Sequence, residues 1–274
     1  MSTLYAGNLS DKTFDLDLLK FFNTKGYKIA SAKVMFDIES KRSKGFGYLN
    51  FYSQDEADRC LNEMNNSEEF TMNCIGVTSK ILNYCISNNI KINKIIYTST
   101  AAVYGDNKYA AETDVLKPSS LHASLKTSNE ELIQKFSIDN KVDYTITRIF
   151  NMYGGNDEFS IISKIFSAIK NNKKLTIVND GNAIRDFIHV EDVANIYAKL
   201  IDINNIKFLN IGTGIGKSIK HIILTFKKYN ADLITNSISL SEINVSTANI
   251  EILNKLIKKQ SFIEIENFIK QELS

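Results

Sequence analysis

Apolar and polar positions change their rhythm once along this chain, near residue 66. Before that point, short alternating runs surround one clear helical spacing. Thr3 to Gly7 reads as a short strand. Leu18, Leu19, Phe21 and Phe22 fall at helical spacing within Phe14–Lys25, and Gly26 supplies a stop signal. Ile29 to Phe36 alternates as a half-buried strand, Ser40-Lys41-Arg42-Ser43 is a basic polar loop, Gly45 to Tyr52 is a second alternating strand, and Asp55 to Met64 is a second helix. In the strand Gly45–Tyr52, Phe46 and Tyr48 share one face while Leu49 and Phe51 share the other. Leu49 and Phe51 supply the core face, which leaves the other two rings facing out, where unstacked bases can lie on them.

The seam Met64–Met72 has no Gly, no Pro and no long polar run. Two sequence styles therefore meet without the linker that usually separates domains. After the seam, strands and helices alternate as in a parallel-sheet protein. Glu68 to Ser87 reads as an amphipathic helix, and Asn93 to Thr100 as a buried strand ending in hydroxyls, where parallel-sheet enzymes place ligands. A helix follows from Lys117-Pro118 to about Asp139, then a strand from Tyr144 to Phe150 and the Asn151–Gly155 loop. Ser160–Lys170 is a helix, Leu175–Val178 a strand, and Val193–Ile203 a helix with Asp192 as its first-turn acid. Phe208–Ile211 is a strand, followed by a glycine loop, the helix Lys217–Tyr229 and two closing helices near Asn249–Lys258 and Phe262–Leu273.

Composition narrows this picture only a little. The formal net charge of +2 gives no bulk pull toward nucleic acid or membrane, and residues 1–66 balance nine basic side chains against nine acidic ones. Nucleic-acid binding must then come from a local face. Three cysteines, Cys60, Cys74 and Cys85, lack metal-ligand spacing, so free thiols in a reducing compartment and no metal are expected. MSTLYAGN has no signal-peptide pattern and no apolar run is long enough to span a bilayer, so the cytoplasm is the expected location.

Lys44–Phe51, KGFGYLNF, fits the RNA-recognition-motif octapeptide at every position, and Leu4–Leu9, LYAGNL, fits its hexapeptide partner except at Ala6. The stretch resembles an RNA recognition motif of the poly(A)-binding-protein type. The resemblance implies an α+β ferredoxin-like sheet that stacks single-stranded RNA on Tyr5, Phe46 and Tyr48, with Lys44 on phosphate. The alternative is a decayed module whose aromatics pack elsewhere. The family's fourth strand is not found after Met64, where the pattern reads as helix.

The stretches YTSTAAVYG (Tyr97–Gly105), LHASLKTSNEE (Leu121–Glu131), TRIFNMYG (Thr147–Gly154), GNAIRDFIHVEDVA (Gly181–Ala194) and LNIGTG (Leu209–Gly214) stand in one order across the remainder. Together they resemble the extended short-chain dehydrogenase/reductases, in particular nucleotide-sugar epimerases and dehydratases. The resemblance implies a Rossmann-type α/β fold with a small C-terminal substrate-binding part. It places the catalytic hydroxyl on Thr100, the lysine that holds the nicotinamide ribose on Lys126, and substrate contacts on Asn151 and Arg185. For Arg185, an ion pair with Asp186 or Asp192 is the competing role.

Two departures stand out. The catalytic tyrosine position, four residues before Lys126 on the same helical face, holds His122, whose neutral form Lys126 would favour. Tyr104 and Lys108 repeat the Tyr-x-x-x-Lys spacing, but in the loop after a strand. The family also opens with a strand, a glycine-rich turn, a helix and a ribose-reading acid, and none of these is found here. Gly212-Thr-Gly214-Ile-Gly216-Lys217-Ser218 is one glycine short of a P-loop, with Ile211 at the first position, and matches the family's late loop. A helix N-terminus following it can still touch an anion.

The expected architecture is a mosaic: residues 1–66, an RNA-recognition unit lacking its fourth strand, joined to residues 67–274, an incomplete Rossmann-type fold. The expected function is single-stranded RNA binding beside an inactive enzyme-like remainder. NAD is the family's cofactor but is not expected to bind. NAD-dependent epimerisation or dehydration of a nucleotide sugar is the alternative, and loss of both functions is the third. Unpaired sheet edges at the seam make self-association expected.

Overall fold

The computed structural model describes residues 2–6, 13–24, 26–37, 43–60, 75–229, 233–240, 242–257 and 261–273. The chain divides into two compact units, residues 1–73 and 74–274.

In the first unit, Ser2–Ala6 forms β1, Asp15–Thr24 α1, Ile29–Phe36 β2 and Ser43–Phe51 β3, and residues 54–60 form α2. The strands make an antiparallel sheet in the order β1-β3-β2. The period-two alternation of β3 decides which face is core: Leu49 and Phe51 are buried, whereas Tyr48, on the other face, is 39% exposed. Leu18 and Phe22, one turn apart on α1, pack on the same core as Ile29, Val34, Ala57 and Cys60. The Asp15 carboxylate accepts the Val34 N–H at 2.6 Å and so ties the first turn of α1 to β2. Gly26 ends the helical stretch with a φ of +82°, a conformation that an L side chain resists. Most of the basic loop at Ser40–Ser43 and the stretch after Met64, where no fourth strand is expected, lie outside the described residues; Ser43 itself opens β3.

The second unit runs α3 (Val77–Ser87), β4 (Lys94–Thr100), a 3-10 turn at Ala101–Tyr104, β5 (Asn107–Ala110), α4 (Leu121–Asn140), β6 (Asp143–Ile149), β7 (Asn151–Tyr153) and α5 (Ile161–Lys170). It continues with β8 (Leu175–Val178), β9 (Ile184–His189), α6 (Val190–Leu200), β10 (Phe208–Ile211), β11 (Gly216–Ser218) and α7 (Ile219–Lys228). β12 (Thr235–Ile238), β13 (Val245–Ala248), α8 (Glu251–Leu256) and α9 (Ile265–Glu272) complete it. β10, β6 and β4 form a parallel sheet with β6 in the centre. A second sheet has the order β11-β9-β13-β5, with β7 also paired to β9, and β12 pairs with β8.

Burial follows this order. Six of the seven residues of β6, from Tyr144 to Ile149, are buried, as a central parallel strand requires. The expectation of a buried strand at Asn93–Thr100 is corrected, since only Ser99 is buried on β4. Among the described strands β4 is an edge, so one side of its backbone carries no neighbour. Lys94 at its start reaches across to α6, donating to the Leu200 carbonyl at 2.8 Å and to the Ile203 carbonyl. A cation at a helix C-terminus satisfies carbonyls that lack intrahelical partners.

Helix boundaries depart from the sequence pattern where a cap or a strand takes the residues. α6 begins at Val190, three residues before the expected start, because His189 Nδ1 accepts the Glu191 N–H at 3.3 Å. Asp192 remains in the first turn, buried, where it accepts the Ile263 N–H at 2.9 Å. α7 begins at Ile219 rather than Lys217, since Gly216–Ser218 pairs antiparallel with β9 and Ser218 caps the helix by accepting the His221 N–H at 3.1 Å. α3 is described from Val77, and the expected start at Glu68 lies outside the described residues. No helix among the described residues is long and apolar enough to cross a membrane.

Candidate functional site

On the first unit, the expected stacking face can be followed through β3. Tyr48 is opposite Tyr5 on β1 and opposite Lys33 on β2 in the strand register. Tyr48 is exposed although Leu49, the next residue, is buried. The side chains of Tyr5, Lys44 and Phe46 are outside the described set, and their backbones lie on β1 and β3.

On the second unit, a cleft of about 730 Å³ opens between β6–β7, α5, β8 and β9. This volume is in the range of small-molecule sites. His122, Asn151 and Arg185, three residues singled out from sequence, line it together. His122 stands on the first turn of α4. Partial burial, and then the charge of Lys126, hold its pKa below the ordinary value, so the imidazole is neutral near pH 7. The direction agrees with the sequence expectation, although burial, not Lys126, is the larger cause. Asn151 on β7 donates to the Asp186 carbonyl at 3.4 Å.

Thr100 and Lys126 are not among the residues lining this cleft. The Thr100 hydroxyl accepts the Ala102 N–H at 3.2 Å and caps the 3-10 turn. Lys126 donates to the Thr98 carbonyl at 2.9 Å and lies 5.2 Å from the centre of the Tyr97 ring. Tyr104, the other tyrosine at a Tyr-x-x-x-Lys spacing, is buried, and Lys108 is on β5 rather than a helix. Burial pushes the Tyr104 hydroxyl up to about 12.

The competing role for Arg185 needs a correction of partner. It pairs with neither Asp186 nor Asp192 but with Glu242, at 3.2 Å between Nη2 and Oε2. Desolvation lowers its pKa, against the charges of Glu242 and Asp106. Asp186 is fully buried and accepts from the Thr213 N–H at 2.8 Å, the Thr213 hydroxyl at 2.6 Å, the Gly214 N–H at 2.9 Å and the Ala248 N–H at 3.2 Å. Burial raises its pKa against those four donors. The loop that resembles a P-loop thus spends its N–H groups on a carboxylate of its own chain. At the start of α7 the anion is also internal, since Glu266 accepts from Lys217 and, at 2.8 Å, from His221.

Sequence reasoning missed Glu242, Asp157, Phe159 and Lys164, which also line the cleft. Asp157 shapes its rim: its carboxylate accepts the Phe159 N–H at 2.7 Å and the Ser160 N–H at 3.0 Å, just before α5. Gly154, on the loop after β7, has a φ of +93°, and a Cβ there would stand 2.3 Å from His189 Nε2. Neither the turn nor the close approach admits a side chain.

Under the sheet runs a buried polar network. Arg148 on β6 makes a bidentate pair with Glu130 on α4, at 2.7 and 3.2 Å. Its remaining nitrogen donates to Tyr104 Oη at 2.9 Å and to the Glu112 carbonyl at 3.2 Å. Tyr104 donates in turn to Asn210 Oδ1 at 2.7 Å, and Ser99 donates to Glu130.

The chain matches the model of the NAD dependent epimerase/dehydratase family over residues 58–212 and that of the RNA recognition motif over residues 4–75. The chain belongs to the NAD dependent epimerase/dehydratase family and carries an RNA recognition motif at its start. It is 31% identical to a dTDP-D-glucose 4,6-dehydratase of Dictyostelium discoideum over 169 residues, 56% of this chain and 38% of that protein. To a UDP-glucose 4-epimerase of Yersinia enterocolitica it is 28% identical over 188 residues, 59% of this chain and 54% of that one. The chain thus spans well under two thirds of these relatives. Among solved structures it is similar to the UDP-N-acetylglucosamine 4-epimerase of Methanobrevibacter ruminantium M1 in complex with UDP-N-acetylmuramic acid, with a TM-score of 0.65 and 27% identity over 75% of this chain and 69% of that one. It shares its fold with the UDP-glucuronic acid 4-epimerase of Bacillus cereus in complex with UDP-glucuronic acid and NAD, with a TM-score of 0.67 and 24% identity over 74% and 66% of the two chains.

Among the described residues, those leading into β4 do not form the glycine-rich cradle that holds a dinucleotide in a Rossmann-type fold. α3, which leads into β4, has Gly76 in right-handed helical conformation at its N-cap, with no side-chain cap. Gly76 is also the only glycine between residues 61 and 93, so this stretch carries no glycine-rich turn of the kind that holds a pyrophosphate. Lys126 is engaged with Thr98. No chemistry through NAD follows from these residues.

Proposed function

We propose that the N-terminal unit binds single-stranded RNA on its sheet, with Tyr5, Phe46 and Tyr48 as stacking rings and Lys44 on phosphate. The observation that carries this is the exposure of Tyr48 on a strand whose alternate residues, Leu49 and Phe51, are buried. A solvent-exposed ring on this face can take a base, and base stacking on one aromatic is worth about 1–3 kcal/mol. The test is oligo(A) binding by fluorescence anisotropy. Tyr48→Ala is expected to weaken binding by about fivefold or more, with unfolding unchanged. Leu49→Ala instead destabilises the unit by about 2–5 kcal/mol. Equal affinity for wild type and Tyr48→Ala defeats the proposal.

A second reading rests on the shared cleft of His122, Asn151 and Arg185. It takes a nucleotide sugar as ligand, by analogy with what the relatives act on, and performs no NAD-dependent chemistry. Imidazole at position 122 is shorter than a tyrosine and offers no phenolate, and no glycine-rich cofactor cradle is found among the described residues. Neither the wild type nor His122→Tyr is expected to convert a UDP- or GDP-sugar in the presence of NAD. Product from either protein, followed by chromatography, overturns this half.

A further inference from the structure

The cleft holds four ionised groups, and they cancel. Lys164 and Arg185 are the cations, and Asp157 and Glu242 the anions. Asp157 is turned to the backbone N–H groups of the rim. Glu242 is different, because it sits on the guanidinium. Its Oε2 lies 3.2 Å from Arg185 Nη2, with the two side chains only 22% and 16% exposed. Its other oxygen accepts from Asn179 Nδ2 at 3.1 Å. Asn179 is itself fixed, exchanging hydrogen bonds of 2.7 and 3.2 Å with the backbone of Leu240. Arg185 also donates to the Ile184 carbonyl at 2.9 Å. The carboxylate is therefore held in place from both ends, on the cation that an incoming anion would seek.

Resting on the nucleotide-sugar reading, we propose that Glu242 occupies the anion seat on Arg185 and acts as an internal competitor against diphosphate. A diphosphate ester brings two negative charges. To reach the guanidinium it must displace a half-buried carboxylate or sit beside it, and like charges so placed oppose binding. Glu242 is then the residue that sets specificity in this cleft. It lowers affinity for the diphosphate portion of the ligand and leaves contacts with neutral sugar or base untouched.

The test uses the full chain and two probes, inorganic pyrophosphate and UDP-glucose, titrated calorimetrically against wild type, Glu242→Gln, Arg185→Gln and the double variant. Glutamine keeps an oxygen for Asn179, and thermal unfolding confirms that each variant is folded. Glu242→Gln is expected to bind pyrophosphate tighter by on the order of tenfold, and the gain is expected to vanish in the double variant. Equal pyrophosphate affinity in wild type and Glu242→Gln, or a gain that survives loss of Arg185, overturns the proposal. UDP-glucose separates the two claims. If pyrophosphate tightens but UDP-glucose binds no variant, the nucleotide-sugar reading fails and the internal competitor stands. If UDP-glucose binds wild type and Glu242→Gln alike, the cleft reading stands and the competitor fails.

Discussion

Replacing Arg148 by methionine is the most demanding test of the buried network. The Arg148 and Glu130 side chains are 4% and 2% exposed, and Arg148 lies 4.9 Å from the Tyr104 ring centre and 4.7 Å from that of Phe208. Methionine keeps much of the apolar stem but removes both bonds to Glu130 and the donors to Tyr104 and the Glu112 carbonyl. Glu130 is left buried with Ser99 as its remaining partner in the network. Breaking a buried pair from one side costs about 3–5 kcal/mol, whereas replacing both members by apolar side chains is often neutral. Against a whole-domain stability of about 5–15 kcal/mol, the single change is severe. The double variant Arg148→Met/Glu130→Leu is expected to recover most of the loss, because no ionised group then stays behind. Hydrogen exchange by mass spectrometry on peptides covering β4 and β6 reads both. Exchange there should rise by roughly a hundred- to a few thousand-fold in Arg148→Met, since about 1.4 kcal/mol is a factor of ten, and should fall back in the double variant. Exchange within threefold of wild type in Arg148→Met, or a double variant as labile as the single one, refutes the reasoning.

Two further changes probe neighbouring charges. Asp186→Asn keeps the shape but turns an amide group toward donors, and each N–H left unpaired costs about 1–3 kcal/mol in urea unfolding; a variant as stable as wild type contradicts the account of the Thr213–Gly214 loop. The Tyr104 hydroxyl, raised by burial to about 12, favours the protonated folded state. Its contribution is complete below pH 10 and is lost as pH rises through 12, so wild type should lose up to about 3 kcal/mol more than Tyr104→Phe across that window. Parallel pH dependence in the two proteins would show that Tyr104 does not titrate against folding.

Local pattern made much of this fold legible. Ile29–Phe36, Leu175–Val178 and Phe208–Ile211 take the strand bounds that alternation or an apolar run predicts. What stayed hidden is non-local. β5, β7, β9, β11, β12 and β13 are three to six residues long and lack an apolar run like that of Phe208–Ile211, and they exist through pairing with distant partners. α6 starts early because a histidine ring, not one of the usual capping side chains, accepts its N–H. The same limit governed the site. His122, Asn151 and Arg185 could be picked out by their motifs, but Glu242 comes 57 residues after its partner Arg185, and no spacing rule connects them.

Each motif stretch that carried the family resemblance contributes a residue with a structural partner. Tyr97–Gly105 supplies Tyr104, Leu121–Glu131 supplies Glu130, Thr147–Gly154 supplies Arg148, and Leu209–Gly214 supplies Asn210, all members of one buried network. Gly181–Ala194 supplies Asp186, which closes the late loop. Thr100 caps a turn, and Lys126 bonds the Thr98 carbonyl. Holding the parallel sheet and its loops together is enough to account for these residues, because unpairing any buried member costs folding energy whether or not a reaction takes place. The catalytic position is the opposite case. His122 is exposed and lines the cleft. A substitution there is expected to alter the cleft rather than the buried network. The match to the family is therefore strongest where the fold needs it and departs where catalysis would, which is why the proposed function of the second unit is a ligand cleft and not a turnover.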